Sequence, residues 1–199
     1  MALHKYTRDK LTTADVAAIL GTAKSAELEP GDHLFLHLLA KTGRRIGEIL
    51  GDARASRHGM RPKDIEWDQK FAWLSVEKRR DDSEYICFLT DEMLEELRVY
   101  IHALGIGPEE ELFLHQPKRS AIGTYKRLPQ VYADLAGIGK HISAHSFRHH
   151  FITTLREQGW AYEDIQKLTG HKSIASMASY DHTSAKMVEG RFREALGGI

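Results

Sequence analysis

Residues 64–104 read DIEWDQKFAWLSVEKRRDDSEYICFLTDEMLEELRVYIHAL, and the hydrophobic pattern changes within this stretch. Residues 64–67, 71–76 and 84–89 are short runs rich in β-branched and aromatic residues, with polar turn residues between them. Such runs predict a small three-stranded antiparallel sheet. From residue 91 to 104 the apolar residues recur at helical spacing instead, so we predict a helix directly after the sheet.

Helical periodicity continues on both sides of the sheet. Before it, Thr12 or Thr13 is positioned to cap one helix, Gly43 to end a second, and residues 51–63 form a basic loop. After it, residues 105–120 form another loop. The predicted fold class is therefore mainly α with a small three-stranded antiparallel β-sheet, an α+β fold. The other predicted helices lie at residues 32–42, 45–50, 122–136, 143–158, 162–169, 173–180 and 184–196.

The composition is that of a globular protein. The 199 residues, 42% of them hydrophobic, suffice for one domain over residues 11–199, preceded by a polar tail or linker over residues 1–10. No apolar run approaches the roughly 20 residues of a membrane helix, and residues 1–10 lack the apolar core of a signal peptide, so we expect a cytoplasmic protein. The single cysteine, Cys87, excludes an internal disulfide and a cysteine-rich zinc site.

Two segments combine cationic side chains with a helix end. Residues 42–48, TGRRIGE, place Arg45 three residues before Glu48, which alone predicts an ordinary surface ion pair. Residues 145–148, HSFR, place His145 and Arg148 on one face near a helix N-terminus, which suits an anion. His149 follows His145 at i+4 as a possible metal pair, but no third ligand is nearby in the sequence, so no metal site is predicted.

Two further segments carry reactive residue types. Gly170 and His171 are followed by Tyr180 nine residues after the histidine. Taken alone, they indicate a helix C-cap, an ordinary histidine and a half-buried tyrosine. Lys78 lies in residues 76–80, VEKRR, which taken alone form a solvated basic hairpin tip.

Taken in chain order, the four segments give an arginine, a hairpin lysine, His-x-x-Arg, Gly-His and then a tyrosine. Together they resemble the catalytic domain of the tyrosine recombinases, the phage integrase family, over residues 11–184. Residues 42–48 resemble the family's Thr-Gly-x-Arg-Ile-x-Glu box, residues 145–148 its His-x-x-Arg box, and residues 165–171 with Tyr180 its last box. Most members also carry an N-terminal DNA-binding domain that is missing from this chain. The chain is therefore either an excised fragment or one of the short members.

A few positions depart from the family's pattern. Phe147 stands where leucine is usual, Thr169 where leucine often precedes Gly-His, and Phe88 where a proline often ends the third strand. None of these departures removes a reacting group. Arg79 and Arg80 share the hairpin tip with Lys78. Among the matched positions, the resemblance therefore fixes the hairpin lysine least firmly.

The resemblance assigns a role to each matching position. Arg45 and Arg148 bind the scissile phosphate, with Glu48 as a supporting acid. Lys78 is the hairpin lysine, and Tyr180 is the nucleophile. The active-site histidines are His145 and His171.

The activity implied is site-specific recombination or integration, in which double-stranded DNA is cut and rejoined through a covalent 3′-phosphotyrosine. Two planar guanidinium groups would supply the positive charge that metal ions supply elsewhere, so no cofactor, metal or ATP is expected. The resemblance also implies a homotetramer on DNA and a monomer or weak dimer in free solution. A type IB topoisomerase-like nicking-closing enzyme and a non-catalytic DNA-binding regulator are the alternatives.

The charge balance constrains how DNA could be bound. The 28 Lys and Arg residues equal the 28 Asp and Glu residues, whereas DNA affinity depends on neutralising phosphates. We therefore expect the charges to be segregated, with the acidic residues 91–96 and 109–111 away from the DNA. The basic residues expected on the DNA-binding face are Arg44, Arg45, Arg54, Arg57, Arg61, Lys78, Arg79, Arg80, Lys118 and Arg119.

Overall fold

The computed structural model of the chain describes residues 10–26, 28–52, 57–75, 84–113 and 122–170. The predicted helices at residues 173–180 and 184–196 lie outside these ranges, as do residues 1–9. Within the described part, no helix is long and apolar enough to cross a membrane.

The predicted fold class is confirmed, since the described residues are mainly helical with a small antiparallel sheet. Local signals fixed the helix ends closely. At the first helix, the Thr12 hydroxyl accepts from the Asp15 N–H and the Asp15 carboxylate accepts from the Thr12 N–H, a reciprocal cap. The helices are α1 (Thr13–Ser25), α2 (Asp32–Thr42), α3 (Ile46–Leu50), α4 (Asp91–Leu104), α5 (Ile122–Leu135), α6 (Ala144–Glu157) and α7 (Tyr162–Thr169).

The predicted three-stranded sheet is also confirmed. β3 (Ile65–Glu66), β4 (Phe71–Ser75) and β5 (Glu84–Phe88) lie side by side in that order, all antiparallel. The prediction of a plain loop over residues 51–63 is wrong. This segment contains a two-residue ladder between β1 (Gly51–Asp52) and β2 (Arg57–His58), followed by a 3-10 turn.

The buried helix α2 lies at the centre of the fold. It packs against α1, α4, α5 and α6, and nearly every one of its side chains is buried. Phe35 of α2 meets Phe113 and Tyr125, with ring centroids 5.3 and 4.8 Å away. Because α2 is surrounded in this way, the position of its C-terminal end is set by the whole core.

A hydrogen bond to a buried carboxylate fixes the opposite end of α2. Asp32, the first residue of the helix, is 1% exposed, and its Oδ2 accepts from the Tyr132 hydroxyl of α5 at 2.6 Å. The same hydroxyl oxygen accepts from the Leu28 N–H at 2.8 Å. Tyr132 therefore links α5 to both the start of α2 and the segment before it.

Replacing Tyr132 with phenylalanine should lower the free energy of unfolding by about 1.5–3 kcal/mol, because a hydrogen bond to a charged group is lost. The matched control is Tyr125→Phe. In the parent protein the Tyr125 hydroxyl is equally buried, but it donates to the neutral Phe113 carbonyl at 2.8 Å. That change should cost about 1 kcal/mol. Urea denaturation of both variants measures the difference, and a larger loss for Tyr125→Phe would contradict this account.

Candidate active site

The segment over residues 42–48 begins where α2 ends. Gly43 adopts the left-handed conformation, with φ 59°, and a Cβ at this position would overlap the Phe151 ring of α6. Only glycine combines this backbone with such a close approach. The turn at Gly43 therefore lets α2 and α6 pack closely and directs the two following arginines.

Arg45 and Glu48 form a tightly held pair. The Arg45 N–H donates to Glu48 Oε2 and its Nη1 donates to Glu48 Oε1, both at 3.0 Å. The Glu48 side chain is fully buried, whereas that of Arg45 is 22% exposed. The interpretation as an ordinary surface ion pair is therefore wrong. The buried Glu48 carboxylate instead holds the side chain of Arg45, which stays partly exposed at the surface.

Arg44 has a different environment from its neighbour. It is 1% exposed, its Nη2 donates to the Ile86 carbonyl of β5, and its Nη1 lies 3.9 Å from Glu48 Oε2. Its Nε and Nη1 have no hydrogen-bond partner within the part of the chain that the structure describes. Arg44 is thus an interior cation, and its predicted contact with DNA stays a prediction that this burial does not favour.

Arg148 joins three of the predicted segments. It is 3% exposed, its Nη1 donates to the Gly43 carbonyl at 2.7 Å, and its Nη2 donates to the Thr169 carbonyl at 2.9 Å. Gly43 lies two residues before Arg45, and Thr169 lies two residues before His171. One guanidinium group therefore brings the end of α2, the α6 box and the end of α7 together.

His145 lies in the first turn of α6, one helical turn before Arg148, and is exposed. Ser143 caps this helix by accepting from the Ser146 N–H. Phe147, which departs from the family's leucine, is completely buried in the core. The sequence thus leaves His145 at the surface near a positive helix end.

Helix α7 ends as predicted. Gly170 caps α7 in the left-handed conformation, with φ 66°, and a Cβ there would lie 3.5 Å from Arg44 Nη1. Thr169 is fully buried, and its hydroxyl donates to the Ile165 carbonyl at 2.6 Å. These contacts fix the backbone immediately before His171. The predicted site residues that lie outside the described part are Arg54, Lys78, Arg79, Arg80, Lys118, Arg119, His171 and Tyr180.

Several contacts of this site were not predicted from the sequence. The carbonyls of Gly43 and Thr169 are backbone groups, and the Phe151 ring that faces Gly43 comes from a distant helix. Cys87 is buried near Arg44, and burial raises the pKa of its thiol. A thiol that resists ionisation is a poor nucleophile, so Cys87 is a packing residue.

The predicted charge segregation does not hold at Arg61. This residue forms a two-point ion pair with Asp64 at 2.9 Å, and its Nη1 lies 3.9 Å from Glu109 Oε2. Lys63 also pairs with Glu109, at 2.6 Å. The acidic residues 109–111 were expected to lie away from the DNA, but Glu109 lies beside Arg61, which was expected on the DNA-binding face. The reason is structural, since Arg61 and Asp64 cap the 3-10 turn.

We predict that Glu48→Ala lowers the free energy of unfolding by about 3–5 kcal/mol, because Arg44 and Arg45 would lose the buried charge between them. The control is Glu95→Ala, which removes an exposed pair with Arg98 at 3.7 Å and should cost less than about 1 kcal/mol. Chemical denaturation compares the two variants. Equal losses would mean that Glu48 is not the counter-charge of the two arginines.

The sequence of this chain is similar to those of known proteins. The model of the phage integrase family matches residues 9–187. A tyrosine recombinase of Pseudothermotoga lettingae is 31% identical over 151 residues, which cover 76% of this chain and 49% of the relative. The tyrosine recombinase XerD of Staphylococcus saprophyticus is 28% identical, over 96% of this chain and 64% of the relative. The chain thus spans about half to two thirds of the length of these relatives.

Solved structures show the same fold. The XerA recombinase superposes with a TM-score of 0.74 at 21% identity, covering 98% of this chain and 66% of the other. The XerH site-specific recombinase, in a post-cleavage complex with its palindromic difH substrate, also gives 0.74, at 18% identity over 94% of this chain and 53% of the other. With the family model matching most of the chain, the protein belongs to the phage integrase family, the tyrosine recombinases.

Proposed function

We propose that residues 11–199 are the catalytic domain of a site-specific DNA recombinase, which cuts and rejoins double-stranded DNA through a covalent 3′-phosphotyrosine at Tyr180. The observation that carries this proposal is the position of Arg148, which donates to the Gly43 carbonyl beside Arg45 and to the Thr169 carbonyl near His171. Residues from three separate family boxes thus meet around one cation. Residues 1–10 would be a tail or linker.

The proposed reaction is a transesterification at a phosphodiester. The Tyr180 hydroxyl oxygen bonds to phosphorus and loses its proton, while the bond from phosphorus to the 5′ oxygen breaks. A tyrosine hydroxyl has an ordinary pKa near ~10, so it needs a basic or cationic neighbourhood to react at neutral pH. Lys78 would give the departing 5′ oxygen its proton, and His145 and His171 would bond the phosphate or move the tyrosine proton.

The two arginines would stabilise the charge that gathers on the phosphate oxygens. Arg45 reaches the surface with a side chain 22% exposed, and Glu48 holds it through two hydrogen bonds. Two carbonyls fix the plane of the Arg148 guanidinium. Donors oriented before the reaction stabilise a transition state without reorganisation cost. Because the phosphotyrosine conserves the bond energy, religation needs no nucleotide, and the arginines supply the charge that a metal supplies elsewhere.

The proposed partner is double-stranded DNA. Solved neighbours of the same fold are described in complexes with their own DNA sites, such as XerH with difH and the lambda integrase with a core site. For this chain, the partly exposed Arg45 and the exposed His145 are described groups suited to approach a phosphate. In this proposal the chain is a monomer or weak dimer in free solution, and four copies assemble on two duplexes. Residues 184–196 would then dock on a neighbouring copy.

Tyr180→Phe should abolish covalent attachment to DNA while leaving folding and binding unchanged, because only one hydroxyl is removed. The measurement is an SDS-resistant adduct on a nicked suicide substrate that carries candidate sites. Tyr162→Phe is the control and should form the adduct normally. Tyr125 and Tyr132 are poor alternatives, since both are buried with their hydroxyls hydrogen-bonded. An adduct formed by the Tyr180 variant would refute the assignment.

Lys78→Ala should slow cleavage of ordinary DNA much more than cleavage of DNA with a 5′-bridging phosphorothiolate. A sulfur leaving group departs without a proton, so it bypasses the general acid. Arg79→Ala and Arg80→Ala serve as controls on the same segment and should slow both substrates alike. If Lys78→Ala also slows both substrates equally, Lys78 is a binding residue.

Truncation after Thr183 should impair assembly on DNA more than binding to a single site. Light scattering with and without DNA measures assembly, and gel shifts measure binding. The docking role is wrong if the truncated chain assembles as well as the full chain or fails to fold.

A further inference from the structure

We propose that His33, His37 and Glu96 form a binding site for a divalent transition-metal ion, with Zn²⁺ as the best match. The three residues come from α2 and α4, away from the residues assigned to the phosphate. They are the metal-capable group of three within the described ranges, 10–26, 28–52, 57–75, 84–113 and 122–170. This proposal does not depend on the recombinase activity.

The geometry brings three ligand atoms together. His33 and His37 are four residues apart on one face of α2, with ring centroids 5.5 Å apart. Glu96 of α4 lies between them, with one carboxylate oxygen paired with His33 Nδ1 and the other 2.9 Å from His37 Nδ1. All three ligand atoms lie within 4.8 Å of one another. The two helices therefore present a converging set of donors.

The donor set suits zinc. Zinc accepts imidazole nitrogen at about 2.0–2.1 Å and carboxylate oxygen at about 2.0–2.2 Å, so two ligands of a tetrahedral ion are roughly 3.3 Å apart. Because the three ligand atoms lie within 4.8 Å of one another, they would need to approach by about 1.5 Å at most. Two histidines and one carboxylate leave a fourth position for water. Mg²⁺ prefers oxygen ligands and fits this set poorly.

The surroundings suit a bound cation as well. The His37 side chain is 4% exposed and that of His33 is 13% exposed, whereas Glu96 is 24% exposed and gives the ion a path from solvent. Glu92, 69% exposed, places Oε2 3.9 Å from His37 Nε2. The negative charge of this carboxylate beside the site favours a bound cation.

A metal at this position would fix α2 against α4. His37 lies six residues before Gly43, about 9 Å along the helix axis, so the ion would be remote from the phosphate site. Its effect would be on stability. The competing description is a cluster in which both histidines donate to one carboxylate without any metal.

Titration of the untagged full chain with Co²⁺, followed by displacement with Zn²⁺, tests the proposal. We expect saturation at one equivalent with the visible absorption of a tetrahedral Co²⁺ site, and a rise in melting temperature with Zn²⁺. His33→Gln and Glu96→Gln keep polar side chains of similar size and should weaken binding by about tenfold or more. The control is His102→Gln, an exposed histidine of α4, which should bind as the parent does.

The Co²⁺ titration of the parent protein tests the proposal even where a variant folds poorly. Circular dichroism shows whether each variant is folded. Absence of a saturable tetrahedral band in the parent overturns the proposal. Equal affinity of folded His33→Gln and parent overturns it too, because the metal would then lie elsewhere among the 12 histidines. Since metal binding is read without DNA, failure here leaves the proposed recombinase function untouched, and the reverse also holds.

Discussion

Arg148 is a buried cation whose hydrogen bonds require two distant stretches of backbone to meet beside it. Its partners are the carbonyls of Gly43 and Thr169, at 2.7 and 2.9 Å. A buried charged donor left unsatisfied costs about 1–3 kcal/mol or more, so the ends of α2 and α7 are held next to α6. Arg45 and the backbone before His171 take their positions from this constraint. Packing and the proposed chemistry therefore depend on the same side chain.

The buried helix α2 transmits the order of the core to this point. Its first residue, Asp32, is held by Tyr132, and its last turn leads into Gly43, where a side chain would overlap Phe151. The Gly43 turn sends one arginine inward and the next one outward. Glu48 is the buried anion that lies near both. The contacts of His33 and His37 with Glu96 also connect α2 to α4, so the helix that leads to Arg45 is fixed along its length.

Features that depend on neighbouring residues could be predicted from the sequence. The cap at Thr12, the start of α4 after Thr90 and the glycine ends of α2 and α7 follow from local rules, and the structure confirms them. Features that depend on distant contacts could not. The burial of Arg44 against β5, the pairing of β1 with β2, and the approach of Glu96 to two histidines of α2 arise only when the chain folds. The i, i+4 spacing of His33 and His37 is visible in the sequence, but no local signal marks Glu96 as their partner.

In the proposed reaction Arg148 acts on the charge of the phosphate, beyond its part in holding Gly43 and Thr169. The most direct test compares Arg148→Ala on ordinary DNA and on DNA whose scissile phosphate is replaced by a neutral methylphosphonate. Removing an oriented donor should slow cleavage of ordinary DNA by about 10²–10³-fold or more. Most of this loss should disappear on the methylphosphonate, because that group is neutral at the start and carries one negative charge fewer in the transition state. An equal loss on both substrates would contradict this role and leave Arg148 with a structural role alone.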